Sequence, residues 1–124
     1  MIYNKEYKVK FYKNSRTGVE PVLNYLKDLD LKNRQKINKY IKFLCDNSGY
    51  LDEPYSRHIT GKIRELRINF STHRHCIFYF SFIGKIIVLL SAFSKNTEKT
   101  PFKEIYLAEK GYKDFINNYE LYED

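Results

Sequence analysis

Eight cationic side chains and all three histidines of this 124-residue chain fall between positions 57 and 99, and there its residue types could do chemistry. Arg57, Lys62, Arg64, Arg67, Arg74, Lys85, Lys95 and Lys99 are accompanied by only two acidic residues, Glu65 and Glu98, while His58, His73 and His75 lie among them. After Lys99 the balance reverses, with three basic residues against six acidic. Guanidinium and ammonium groups hold and neutralise phosphate oxygens, and an imidazole can move a proton near neutral pH. Phosphate chemistry is therefore the first expectation.

The whole-chain balance points the same way. Lys and Arg number 22 against 15 Asp and Glu, a net charge of +7 with a pI near 9.3, which favours a polyanionic partner such as nucleic acid or an anionic surface. Hydrophobic residues make up 43% and Tyr plus Phe 17%, a globular composition in which aromatic rings do much of the packing. The length predicts one domain, 1–124, able to bury roughly two thirds of its unfolded surface in one core. Cys45 and Cys76 form neither a CxxC pair nor a zinc-finger spacing, so no metal site, disulfide framework or cofactor is expected. The first six residues contain no apolar core of signal-peptide length, and the longest apolar runs break at Gly84-Lys85, far short of a membrane span. A cytoplasmic protein with no membrane attachment is the expectation.

The elements that must position these residues follow from periodicity. Tyr3, Tyr7, Val9 and Phe11 alternate with Asn4, Glu6, Lys8 and Lys10, which predicts a half-buried strand over 3–11. Thr17 and Glu20 have capping-box spacing ahead of Pro21, and Val19, Val22, Leu23, Leu26 and Leu29 recur as in a short helix. Asp30 is placed to cap a second helix running to about 46, with Ile37, Tyr40, Ile41 and Leu44 as its apolar stripe and Asn47-Ser48-Gly49 as its stop. Its Lys32, Arg34, Lys36, Lys39 and Lys42 make either a solvated face or one that meets RNA. Residues 50–55 read as a loop.

Three strands of an antiparallel meander come next. Leu66, Ile68 and Phe70 share one parity and Glu65, Arg67 and Asn69 the other, so helices on one side of the sheet would leave the Glu65/Arg67 face open. Cys76, Phe78, Phe80 and Phe82 alternate with His75, Ile77, Tyr79 and Ser81, as in a central strand, and the run 86–92 is apolar throughout. Ile83-Gly84-Lys85 joins the two. Thr100-Pro101 places a capping residue and a first-turn proline before a third helix striped by Phe102, Ile105, Tyr112 and Ile116, with Gly111 placed to bend or end it. The fold class is α+β: an N-terminal strand, a two-helix hairpin, a three-stranded antiparallel meander joined to the first strand, and a C-terminal helix.

Particular words stand in this order: Gly61 followed by Glu65-Leu66-Arg67, then Ile77-Phe78-Tyr79-Phe80, then Ile87-Val88-Leu89-Leu90, and Phe93-x-Lys95-x-Thr97-x-Lys99-Thr100-Pro101 leading into Glu104-Ile105 and Ala108. Over nearly the whole chain they resemble the RelE/HigB family of toxins from prokaryotic toxin-antitoxin modules, within the RelE/ParE superfamily and closest to its phage-derived, HigB-like branch. The resemblance implies a RelE-like fold and a ribosome-dependent endoribonuclease, an mRNA interferase that enters the A site, cuts messenger RNA and inhibits translation. It also implies a cognate antitoxin, of helix-turn-helix type and encoded adjacently, with DNA contacted only through that antitoxin. Two positions depart from the family pattern. Cys76 stands where members commonly carry an arginine that contacts the scissile phosphate, and Lys95-Asn96 stands where two lysines are common. Arg74, two residues earlier on the same parity, is the candidate replacement.

Cleavage through the RNA's own 2'-hydroxyl needs a base at that hydroxyl, an acid at the leaving 5'-oxygen and positive charge around the phosphorane, and it needs no metal. Arg67 is assigned the phosphorane, because a guanidinium grips two phosphate oxygens at once; the bland alternative is a surface cation paired with Glu65. His75 is the acid or base candidate, with a structural strand histidine as its alternative. Arg74 and Lys95 complete the catalytic set. His58, Arg64, His73, Tyr79 and Lys99 are assigned to substrate binding, Tyr79 by stacking on an unpaired base, although with 12 tyrosines in the chain core packing is the default for any one of them. Glu65 is either a base with a raised pKa or, more simply, an arginine's ion-pair partner. Two competing readings stay open: a catalytically degenerate relative that binds RNA, ribosome or antitoxin without cutting, suggested by Cys76, and a DNA-binding regulator that uses the basic sheet face.

Overall fold

Period-two hydrophobicity sends alternate side chains of a strand to opposite faces of its sheet, and here each face has its own helical cover. The protein is described by a computed structural model over residues 7–70, 72–96 and 99–122. In chain order the elements are β1 (Lys8–Phe11), α1 (Pro21–Lys27), α2 (Leu31–Asp46), β2 (Ser56–Thr60), β3 (Ile63–Asn69), β4 (Arg74–Phe82), β5 (Ile86–Lys95) and α3 (Phe102–Asn118), with a short 3-10 turn, Tyr119–Tyr122, at the end. The strands form one mixed sheet in the order β1-β5-β4-β3-β2. β1 runs parallel to β5, and the other neighbours are antiparallel.

On one face Val22 and Leu26 of α1 and Ile37, Ile41 and Leu44 of α2 pack on Leu66, Ile68, Ile77, Tyr79, Ile87 and Leu89. On the other, Ala108 and Phe115 of α3 pack with Cys76, Phe78, Phe80, Val88, Leu90 and Phe93. β4 is central and β5 is buried from both sides, as their apolar sequences require. Asp30 caps α2 through Asn33 N–H (2.8 Å), and Gly49, at φ +82°, closes it with a hydrogen bond to Leu44 O (2.9 Å).

Several expectations need correcting. The sheet has five strands, because β2 pairs with β3 and turns the three-stranded meander into four. Within 56–60 only Ile59 is strongly apolar, so this edge strand carries little periodic signal. Thr17 does not cap α1: its hydroxyl accepts from Val19 N–H (3.2 Å), and Glu20 holds the cap position without a side-chain bond. The first part of the strand predicted over 3–11 lies outside the described residues, and β1 begins at Lys8. The Glu65/Arg67 face is not open, since α3 lies on that side and both residues are buried. In α3, Phe102 and Ile116 point outward while Ala108, Gly111 and Phe115 are buried.

Gly111 does not end the helix, which runs on to Asn118. Its missing side chain admits the Tyr12 ring, which a Cβ would meet at 3.1 Å. That ring is held by its hydroxyl, which donates to Asp114 Oδ2 (2.6 Å), and Ser15 donates to the same carboxylate through N–H (2.9 Å) and Oγ (2.6 Å). Burial works against the charged Asp114, and the hydrogen bonds from Ser15 and Tyr12 outweigh it, keeping its carboxyl below the ordinary value. Among the described residues no helix is long and apolar enough to cross a membrane. Gly111→Ala gains helix propensity but forces its methyl against an anchored ring. A net loss of about 1 kcal/mol is expected by urea denaturation, and a gain would show that the Tyr12 ring yields.

Candidate functional site

Strand register collects cations on the face covered by α3. Arg57 on β2 stands opposite Glu65 on β3, Arg67 stands opposite Cys76 on β4, and Arg74 stands opposite Lys95 on β5. In antiparallel pairs such partners share a face, so these side chains converge near the start of α3. Glu65 is fully buried at the centre. Its Oε1 accepts from Arg57 Nε (3.2 Å) and lies 3.5 Å from Arg67 Nε, while Lys95 Nζ is 3.6 Å from its Oε2.

Thr100 closes the cluster. Its hydroxyl donates to Glu65 Oε2 (3.1 Å) and accepts from Arg57 Nη2 (3.0 Å) and Lys95 Nζ (2.9 Å). That explains why it does not cap α3, whose cap position falls on Pro101 without a side-chain bond. Arg67 and Lys95 are nearly buried, whereas 28% of the Arg57 side chain is exposed, so the cluster meets solvent at Arg57. Arg74 extends the positive surface, its Nε donating to Asn69 Oδ1 (2.6 Å). Among the described residues, three cations thus surround one carboxylate. Burial pushes the Cys76 thiol up to about 12, and the neighbouring Glu65 adds to the effect, so Cys76 is neutral there and no nucleophile.

The histidines lie elsewhere. His75 is buried on the face covered by α1 and α2, between the Tyr25 hydroxyl (2.6 Å from Nδ1) and Asn33 Oδ1 (2.8 Å from Nε2). Asn33 Nδ2 donates to Asp30 Oδ1 (2.8 Å), which turns the Asn33 oxygen toward the ring; His75 therefore donates from Nε2 and accepts at Nδ1. Burial, helped by His73, lowers the His75 pKa, and burial pushes Tyr25 up to about 12. The arrangement docks two helices on β4 and does not approach Arg67.

Tyr79 is wholly buried on the same face, its hydroxyl paired with Ser56 Oγ (2.8 Å), so it cannot stack on a base. Arg64 donates to Ser56 Oγ (3.0 Å) and Leu51 O (3.3 Å) and lies over Tyr50. His73 stacks on Phe70 at the β3–β4 turn, His58 is exposed on the β2 edge against Gly61 O (2.9 Å), and Lys99 is exposed beside Thr100. In the α2 lysine row, Lys36 reaches Asn69 O (2.6 Å) and lines, with Lys32, Lys39 and Phe70, a groove of about 730 Å³.

Of the sequence candidates, the structure thus gathers Arg67, Arg74 and Lys95 and leaves His75, Tyr79 and Arg64 on the far face. Arg57 and Thr100 are cluster members that sequence reasoning missed. Arg57 could have been found only through β2, whose pairing sets it against Glu65.

The family model described as "Phage derived protein Gp49-like (DUF891)" matches residues 24–113. The chain belongs to the Gp49-like family. This is a RelE/ParE-like toxin family, associated with the toxins of toxin-antitoxin modules. A search of the curated proteins found no match. The Gp49-like match contains α2, the strands from β2 to β5 and most of α3, and so every residue of the Glu65 cluster.

Two outcomes are expected from this geometry. Glu65→Gln leaves buried cations without their carboxylate and costs about 3 kcal/mol in urea denaturation at neutral pH; a loss within error would mean the cluster is solvated. His75 titrates below its ordinary 6.5 in the fold, so as pH falls through 6.5 the unfolded chain binds the proton first and stability drops. Between about pH 7.5 and 5.5 the wild type should lose more stability than His75→Gln, and equal losses would remove His75 as the responsible group.

Proposed function

We propose that this chain is the HigB-like toxin of a type II toxin-antitoxin module, a single cytoplasmic domain that cuts messenger RNA on the ribosome and so inhibits translation. The observation that carries this reading is the convergence of Arg57, Arg67 and Lys95 on one face, within the segment matched to a toxin family. In-line attack of a ribose 2'-hydroxyl, its proton passing to water, on the adjacent phosphorus makes a pentacoordinate phosphorane, and the 5'-oxygen leaves with a proton from water, giving a 2',3'-cyclic phosphate and a free 5'-hydroxyl. Negative charge gathers on the equatorial oxygens. Donors held ready for that charge are the largest source of acceleration such a site can supply.

Arg67, beside Glu65, and Lys95, held by Glu65 and Thr100, are those donors, with Arg57, bonded to both Glu65 and Thr100, at the solvent edge receiving the phosphate. Glu65 orients the three cations. None of the described histidines belongs to the cluster, so its role in this reading is charge stabilisation and positioning. The partners are an antitoxin of helix-turn-helix type encoded beside the gene, through which alone DNA would be contacted, and the ribosome-bound message.

A second reading, a relative that binds without cutting, is favoured by Cys76, buried and neutral where the family resemblance leads one to expect arginine. Against it, Arg67 stands directly opposite Cys76 and Arg74 shares its face. Expression without the neighbouring gene, with new 5' ends mapped on cellular messages, separates the two. Growth arrest with cuts in register with translated codons is expected, and Arg67→Ala, shown folded by circular dichroism, should lower cleavage about a hundredfold. Folded wild-type protein that arrests nothing and cuts nothing would leave only the binding role.

A further inference from the structure

Residues 43–56 reverse the charge of the rest of the chain. Within a net charge of +7, this stretch holds Asp46, Asp52 and Glu53 and neither lysine nor arginine. Three large rings on it stand in solvent, Phe43 at 42% exposure, Tyr50 at 55% and Tyr55 at 42%. Phe43 lies near the end of α2, and the two tyrosines lie in the loop that leads to β2. Scattered exposed rings are ordinary, but these are gathered. The Tyr55 ring centre is 5.7 Å from that of Phe43 and 6.3 Å from that of Tyr40. Tyr50 lies over the Arg64 guanidinium at 4.6 Å, and Arg64 donates to Leu51 O and to Ser56 Oγ at the start of β2.

The carboxylates beside the rings decide what can settle on them. Asp46 faces Lys42 at 3.3 Å, while Asp52 and Glu53 are exposed and their carboxylates have no hydrogen-bond or ion-pair partner among the described residues. A site that stacks nucleic-acid bases needs cations along the phosphates, and here the sign of the charge is wrong for that. Rings bordered by unpaired carboxylates suit a protein segment instead. An arginine or lysine of the partner lies on a ring face and reaches a carboxylate at once, and rings already held by their neighbours lose little freedom when covered.

We propose that Phe43, Tyr50 and Tyr55, with Asp52 and Glu53, form the surface on which the antitoxin docks, through a segment that carries arginine or lysine. The proposal rests on the toxin-antitoxin reading above and adds to it the place and the chemistry of the protein contact. Charge then sorts the two partners of one small molecule: the message goes to the cations around Glu65, and the antitoxin to the acidic, ring-bearing stretch. Tyr55 stands two residues before Arg57, at the β2 edge of the sheet, and two residues of chain span at most about 7 Å. A protein seated on the Tyr55 ring therefore crowds the solvent edge of the cation cluster without touching Arg67 or Lys95.

The test titrates the full chain with the purified product of the adjacent gene by calorimetry, at low and at high salt, for the wild type, Phe43→Ala and the double variant Asp52→Lys with Glu53→Lys. Each variant should raise the dissociation constant about tenfold or more with an unchanged melting temperature. Binding of the wild type should weaken as salt rises, and the charge variant should lose that dependence. If Phe43→Ala melts early, the charge variant decides alone. Wild-type affinity in the folded variants overturns the proposal, as does a neighbouring product that does not bind the wild type. Two further results reassign the surface and also overturn it, each with antitoxin affinity retained: a wild-type dimer that Phe43→Ala makes monomeric in sedimentation, or a labelled single-stranded RNA that Phe43→Ala releases. The cleavage reading fails separately, because a wild type that cuts no message leaves the calorimetry standing. Weaker antitoxin binding by both variants then still sustains the docking surface.

Discussion

A carboxylate with no access to solvent, Glu65, is the constraint around which the functional face is built. Taking an ion out of water costs several kcal/mol unless partners replace its hydration, and the partners here come from four separate pieces of chain. Arg57 arrives on β2, Arg67 from the same strand as Glu65, Lys95 at the end of β5, and Thr100 from the segment leading into α3. Each must be in register for the buried carboxylate to have its partners. The same requirement preorganises the cations, since Arg67 lies against Glu65 and Lys95 is held by Glu65 and Thr100.

The two faces of the sheet divide the work. On the α1–α2 side, Asp30, Asn33, His75 and Tyr25 satisfy one another in a chain. That side locks the helical hairpin to β4. On the α3 side the polar groups form a cluster that reaches solvent at Arg57 and is bordered by exposed rings. A histidine one residue from the Cys76 position is therefore remote from the Glu65 cluster, because adjacent strand residues point to opposite faces.

Much of this was legible in the sequence. The Asp30 cap, the α2 stripe and the central place of β4 and β5 follow from local patterns that tertiary contacts do not override. β2 was not legible, because a short edge strand with one strong apolar residue has no periodic signal. Period two separates the Glu65/Arg67 parity from the Leu66/Ile68 parity, but does not say which face a later helix will cover, so buried charges read as exposed ones. Thr100 misled for a related reason: beside Pro101 its hydroxyl looks like a helix cap, and only the fold shows it taken by Glu65, Arg57 and Lys95. Arg67, Arg74 and Lys95 were identifiable by type. Their assembly, and the exclusion of His75 and Tyr79 from it, depended on strand register.

The central claim is that the Glu65 cluster is the seat of the scissile phosphate. The most direct measurement is the structure of the ribosome-bound protein on a message whose cut-site ribose lacks its 2'-hydroxyl and so cannot react. The account predicts phosphate oxygens within about 3 Å of the Arg57 and Arg67 guanidinium groups or of Lys95 Nζ. A cut-site phosphate seated instead along the α2 lysines, with the cluster still closed on Glu65, would contradict it.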